Sequence, residues 1–84
     1  MKAHLRIYLQ DRRLSSDDFI PCEVCGQSAV DIHHIQARGM GGSKYRDTPD
    51  NLIALCRVCH HEADFGTSLP KTYLRQIVNE RRKT

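Results

Sequence analysis

The sequence predicts a small α+β domain stapled by zinc, with helices flanking a short two-stranded centre, and three observations lead there. The chain has 84 residues, too few to bury a large core without a metal, a disulfide or a partner. Two Cys-x-x-Cys pairs, Cys22/Cys25 and Cys56/Cys59, offer four soft ligands at the spacing of a structural zinc site. From the first pair onward, the apolar pattern runs strand, long loop, strand, short helix.

Taken in order, residues 1–14 place Leu5, Tyr8, Leu9 and Arg12 on a helical stripe. Leu5, Ile7 and Leu9 also alternate as in a strand, but a helix is the expectation. Ser15 to Asp18 is a polar turn, and Phe19-Ile20-Pro21 leads into the first cysteine pair. Cys22-Glu23-Val24-Cys25-Gly26 has the form of a zinc knuckle, with Gly26 available for the positive φ of a tight turn. Ala29 to Ile35 is rich in β-branched residues and reads as a strand.

Residues 36–50 form a long irregular segment containing Gly39, Gly41, Gly42 and Pro49. Loops of that length in so small a domain are functional or disordered rather than mere connections. Leu52 to Leu55 reads as a second short strand, and Arg57 to Phe65 as a short helix stopped by Gly66. Ser68 is placed to cap a final helix with a stripe of Leu69, Tyr73, Leu74, Ile77 and Val78. Arg75, Asn79, Arg81 and Arg82 fall mostly off that stripe. The chain thus divides into an N-terminal helix and lead-in at 1–21, a core at 22–66 and a basic amphipathic helix at 67–84.

Composition narrows the class. A formal charge of +3 is compatible with a polyanionic partner without demanding one. Arg6, Gln10, Asp11, Arg12 and Arg13 interrupt the apolar residues of the first fourteen positions, so no signal-peptide core is present. No apolar run approaches a membrane span, so no membrane association is expected. The expected compartment is the cytoplasm, where paired cysteines favour metal over disulfides.

The histidines need a second explanation, because His33, His34 and His60 have no place in a four-cysteine quartet. Successive side chains on a strand point to opposite faces, so His33 and His34 cannot easily chelate one ion together. Two roles are therefore expected: one histidine faces the helix and shares a metal with His60, and the other points toward a substrate. His60 and Asp64 are four residues apart and lie on one helical face, whereas His61 sits about a hundred degrees round. Such a site leaves positions open for water and a phosphate oxygen. Asn51, with donor and acceptor on one amide, is suited to tie the long loop to itself. Asp31 lies on the same strand face as His33 and can accept the other ring N–H of a histidine.

These residues resemble the HNH endonucleases that carry a four-cysteine zinc site. The stretch CEVCGQSAVDIHHIQARGMGGSKYRDTPDNLIALCRVCHHEADFG has that family's order: a Cys-x-x-Cys knuckle, a His pair, a Gly-Gly loop, Asn-Leu, then Leu-Cys-x-x-Cys-His. The resemblance covers residues 22–66 and implies a ββα-metal, treble-clef-like fold over residues 29–65. It places His33 and His60 as catalytic metal ligands, His34 as general base and Asn51 as the brace of the loop. His33 stands where the family often has Asp, and Asp64 where some members have a further His, so Asp64 is a candidate third ligand.

The resemblance further implies metal-assisted hydrolysis of DNA phosphodiesters, by nicking or double-strand cleavage. Imidazole at its ordinary pKa can accept a proton from water at neutral pH, and one divalent ion would assist the phosphate. Mg²⁺, Mn²⁺, Ni²⁺, Co²⁺ or Zn²⁺ are each compatible with the donor set. Arg38, Lys44, Arg46 and the C-terminal helix can neutralise phosphates of DNA, double-stranded by expectation, without reading bases. So small a module implies a homodimer or a phage or host protein partner for tight site recognition. The rival readings are a catalytically inactive, zinc-stabilised nucleic-acid-binding module and, more weakly, a zinc-dependent protein-interaction domain.

Overall fold

A computed structural model of the chain describes residues 2–37 and 46–83. Its first element is a helix, α1 (Ala3–Arg12), which buries Tyr8 and Leu9. The ambiguity at Leu5, Ile7 and Leu9 thus resolves to the helical stripe. Arg13 ends α1 in the left-handed region (φ 56°), returning its N–H to the last turn, and Leu14 N–H reaches Leu9 O at 2.9 Å. Both bonds satisfy carbonyls that a helix end leaves open.

The knuckle follows. Gly26 takes φ +84° and donates its N–H to Cys22 O at 2.9 Å, while Cys22 N–H donates to Gln27 O at 2.6 Å. A single bridge, Pro21 with Ser28, continues this hairpin, and Ala29 N–H bonds to Ile20 O. That pairing occupies the start of the expected 29–35 strand, so β1 runs only from Asp31 to His34. β1 pairs antiparallel with β2 (Leu52–Leu55), placing His33 opposite Ile53 and His34 opposite Leu52. A 3₁₀ turn, Pro49–Asn51, leads into β2.

The two-residue period of β2 divides the core. Leu52 and Ala54 pack with Tyr8 of α1, joined by Ile32. Ile53 and Leu55 pack on the other face with Ile35, Leu69, Leu74, Val78 and three of the cysteines. β2 is therefore buried on both faces, which is why it reads as a continuous apolar run. α2 (Arg57–Phe65) and α3 (Lys71–Arg82) close the second face. Among the described residues no helix is long and apolar enough to cross a membrane.

At the C-terminal side one expectation holds and two are corrected. Gly66 ends α2 as expected, with φ −100°. A Cβ there would lie 1.8 Å from Glu62 Oε2, and Glu62 must reach past to accept the Ser68 N–H at 3.1 Å. Ser68 does not cap α3; Pro70 holds that position, and its carbonyl accepts from Tyr73 and Leu74.

The second correction concerns Arg81, which points inward rather than off the stripe. Its side chain and that of Glu23 are each 7% exposed, with Nη1 within 2.5 Å of Glu23 Oε2. Arg81 stands seven residues after Leu74, two helical turns on, so it shares the buried face. Glu23 also accepts from Tyr8 Oη at 2.6 Å and from Ala54 N–H at 3.0 Å. One carboxylate inside the knuckle thereby ties α1, β2 and α3 together.

Candidate active site and metal centres

The four cysteine sulfurs lie within 4.8 Å of one another, and Cys25 Sγ and Cys56 Sγ are 3.6 Å apart. A tetrahedral zinc with bonds of ~2.3 Å separates its sulfurs by about 3.8 Å, so this cluster is a zinc-type metal site. Its chemistry agrees. Burial opposes ionisation of Cys22, yet the backbone N–H groups of Cys25, Cys56 and Val24 outweigh it and bring the thiol down to about 6. Burial and the neighbouring sulfurs push the Cys59 thiol up. One thiolate among close thiols resists further ionisation unless a cation joins them. Cys56 also begins α2, accepting the Cys59 N–H at 3.4 Å, so the metal site and the helix start are one structure.

β1 sorts its adjacent histidines onto opposite faces. His33 faces α2, where it forms a three-donor group with His60 and Asp64. His60 Nε2 is 3.3 Å from Asp64 Oδ2, and His33 Nδ1 is 3.8 Å from Asp64 Oδ1. The two rings stand edge to face at 5.0 Å. Asp31 accepts not from His33 but from His60, with Nδ1 and Oδ2 2.8 Å apart. That bond assigns the proton of His60 to Nδ1 and leaves the Nε2 lone pair facing Asp64. Burial lowers the pKa of His33, with Asp64 opposing, so its imidazole is neutral and able to donate to a metal at pH 7. Two imidazoles and one carboxylate within this reach fit a divalent ion with positions left for solvent and substrate.

His34 lies on the α1 side. Its Nε2 is 2.6 Å from Asp47 Oδ1, and its ring meets that of His4 at 4.8 Å between centroids. Asn51, 5% exposed, holds the segments on either side of the long loop. Its Oδ1 accepts Gln36 N–H at 2.8 Å; its Nδ2 donates to Gln36 O at 3.0 Å and to Arg46 O at 2.8 Å. Because Arg46 precedes Asp47, this amide also sets the position of the carboxylate beside His34.

A cavity of about 220 Å³ opens between these groups, lined by His33, His34, Asp64 and Lys71 among others. Lys71, His4 and Asp47 were not singled out from the sequence. Lys71 opens α3 and reads as an ordinary helix-start residue. His4 and Tyr8, four apart on one helical face, carried the signal for His4 in principle. Asp47 lay in a loop whose geometry no periodicity describes. His61 stacks on Phe65 and takes no part in the cluster. Arg57 is exposed, and Arg38 and Lys44, expected to meet phosphate, lie outside the described residues.

Comparison with known proteins adds an independent line. The family model described as HNH endonuclease matches residues 22–64, a segment that holds both cysteine pairs, the His33-His34 pair, Asn51, His60 and Asp64. The type IV methyl-directed restriction enzyme EcoKMcrA of Escherichia coli (strain K12) is 31% identical over 68 residues, covering 69% of this chain and 24% of that enzyme. The chain therefore spans about a quarter of the length of the relative it matches. No solved structure gives a significant match.

Proposed function

Since the chain belongs to the HNH endonuclease family, as the match over residues 22–64 shows, we propose that it hydrolyses DNA phosphodiester bonds at the cavity lined by His33, His34, Asp64 and Lys71. The observation that carries this reading is the division of the two histidines. A three-donor metal group stands on one side of β1 and a carboxylate-held imidazole on the other, with both histidines bordering one cavity. A binding module needs neither.

In this reading His33, His60 and Asp64 would hold one divalent ion, which would supply Lewis-acid assistance to phosphodiester hydrolysis when bound. His34 takes the proton from the attacking water as the P–O bond to the leaving group breaks. Asp47 keeps the Nε2 proton in place, so Nδ1 is the nitrogen that accepts. Asp31 orients His60, and Asn51 braces the loop stems so that Asp47 and His34 stay aligned. Lys71 offers positive charge to the substrate phosphate. A second cleft of about 430 Å³, lined by Asp11, Arg12, Arg13, Arg81 and Arg82, carries an excess of positive charge that suits a phosphate backbone. The cysteine-held zinc is structural, because its four sulfurs complete a closed tetrahedral set. The restriction enzyme named above supports DNA as the substrate class.

Incubation of supercoiled plasmid with the purified protein, with and without each divalent metal, is the direct test. Metal-dependent nicking or linearisation is expected. His34→Ala should slow single-turnover cleavage ~10²–10⁴-fold while gel-shift affinity stays within a few-fold. Wild-type protein that binds DNA yet cleaves nothing with any of the five metals would instead be the inactive binding module.

A further inference from the structure

The donor group on the α1 face of the sheet repeats the composition of the one on the α2 face. His4, His34 and Asp47 bring two imidazoles and a carboxylate within 4.8 Å of one another, as His33, His60 and Asp64 do. The two groups sit back to back, separated by one strand, because His33 and His34 are consecutive. His4 comes from α1, outside the matched segment of 22–64, so this second group is built partly from residues beyond the family core.

We propose that His4, His34 and Asp47 form a second site for a divalent transition ion such as Zn²⁺, whose occupancy withdraws His34 from catalysis. Imidazole donors favour Zn²⁺, Ni²⁺ and Co²⁺ over Mg²⁺, so Zn²⁺ is the ion with which to probe the site. Asp47 and His34 are mostly buried, their side chains 9% and 15% exposed, which lowers the cost of holding them in one geometry. Their Nε2 and Oδ1 atoms are hydrogen-bonded at 2.6 Å. Two metal bonds of ~2.05 Å at a tetrahedral angle require about 3.3 Å. Rotation of the two side chains supplies that difference as the proton leaves. The ion then takes His34 Nε2 and turns the ring away from the water it would activate. Low concentrations of Zn²⁺ would therefore inhibit a Mg²⁺-supported reaction.

The inhibition rests on the nuclease reading, whereas the metal count does not, so the experiment measures both. Protein carrying zinc only in its cysteine site is titrated with Zn²⁺ by calorimetry. Wild type should take up two further ions, His60→Ala one, and His4→Phe one, the phenyl ring preserving the stacking on His34. Asp47→Asn serves as a second variant of nearly unchanged volume and should also lose an ion, with circular dichroism confirming the fold of each. In the plasmid assay with saturating Mg²⁺, added Zn²⁺ should inhibit wild type and leave His4→Phe, which retains basal cleavage, markedly less sensitive. If His4→Phe and Asp47→Asn bind as much Zn²⁺ as wild type, the site is overturned whatever cleavage does. If the His4-dependent ion binds but cleavage is not slowed, the site stands and His34 is not the base.

Discussion

Replacing Arg81 with Ala should destabilise the domain by about 3–5 kcal/mol, the typical cost of stranding one partner of a buried ion pair. The structure shows why the upper class of effect applies. Arg81 donates to Glu23 at 2.7 and 2.5 Å, and to the carbonyls of Leu52 and Pro49 at 3.2 and 3.0 Å. Its guanidinium also lies 5.3 Å over the Tyr8 ring. Without it, the Glu23 carboxylate keeps, among the described residues, only the Tyr8 hydroxyl and the Ala54 N–H as donors, at 7% exposure. A domain of this length has a stability of roughly 4–13 kcal/mol, so the loss is a large fraction of the total. A fall in melting temperature well above ~10 °C should accompany it. Urea unfolding of the zinc-loaded protein at pH 7 measures the difference. The combination Arg81→Met, Glu23→Met and Tyr8→Phe removes both charges and the hydroxyl together, and should recover part of the loss, the remainder being the partners it takes from the Ala54 N–H and the Leu52 and Pro49 carbonyls. A penalty below about 1 kcal/mol for Arg81→Ala would place the pair in the class of exposed salt bridges and refute the argument.

Four further outcomes are expected. Removing the cysteine-held zinc should unfold the domain, since a core this small has little stability of its own; chelation under reducing conditions should abolish the far-ultraviolet signal, and native disulfides found by mass spectrometry would contradict it. His60→Ala should lose cleavage while keeping the fold and the cysteine-site zinc; an unfolded, zinc-free variant would make His60 a structural ligand. Asn51→Ala should cost about 1–3 kcal/mol, because it leaves backbone groups of Gln36 and Arg46 unpaired, and should slow cleavage by releasing Asp47; wild-type stability in urea would mean the loop stems support themselves. With only the cysteine site loaded, the His33 ring should titrate below its ordinary 6.5. Its contribution to stability is then present above the unfolded pKa and is lost as pH falls through 6.5 toward the folded value, which a ring-proton NMR titration checks; a midpoint above 6.5 would contradict the burial argument.

What the sequence disclosed tracks how local each signal is. β2 and α2 are legible because their signals are contiguous: Leu52 to Leu55 is one apolar run, and Cys56 and Gly66 bound a single amphipathic stretch. β1 was overestimated because β-branched composition does not tell which neighbour a residue pairs with, and the knuckle hairpin takes Ala29. The Glu23–Arg81 pair joins positions 58 residues apart, and nothing local in either marks it. A glutamate between two zinc cysteines and an arginine in a basic helix both read as surface. Only the coincidence of Arg81 with the Leu74/Val78 face hinted otherwise.

The candidate site divides along the same line. That His33 and His34 serve different ends follows from strand geometry alone, and the structure places them in separate donor groups. Which carboxylate answers each histidine does not follow, because that depends on how α2 and the loop stems are docked. Asp31 shares a strand face with His33 yet bonds across to His60, since an antiparallel partner at Leu55 brings the start of α2 over that end of β1. Asp47 reaches His34 because Asn51 draws the two loop stems together, a tertiary effect of one buried amide. His34 and the His33–His60–Asp64 group are thus positioned by different devices, a braced loop for the first and a docked helix for the second. A change in the loop stems should therefore alter proton transfer without altering metal affinity at His33 and His60, and a change in α2 should do the reverse.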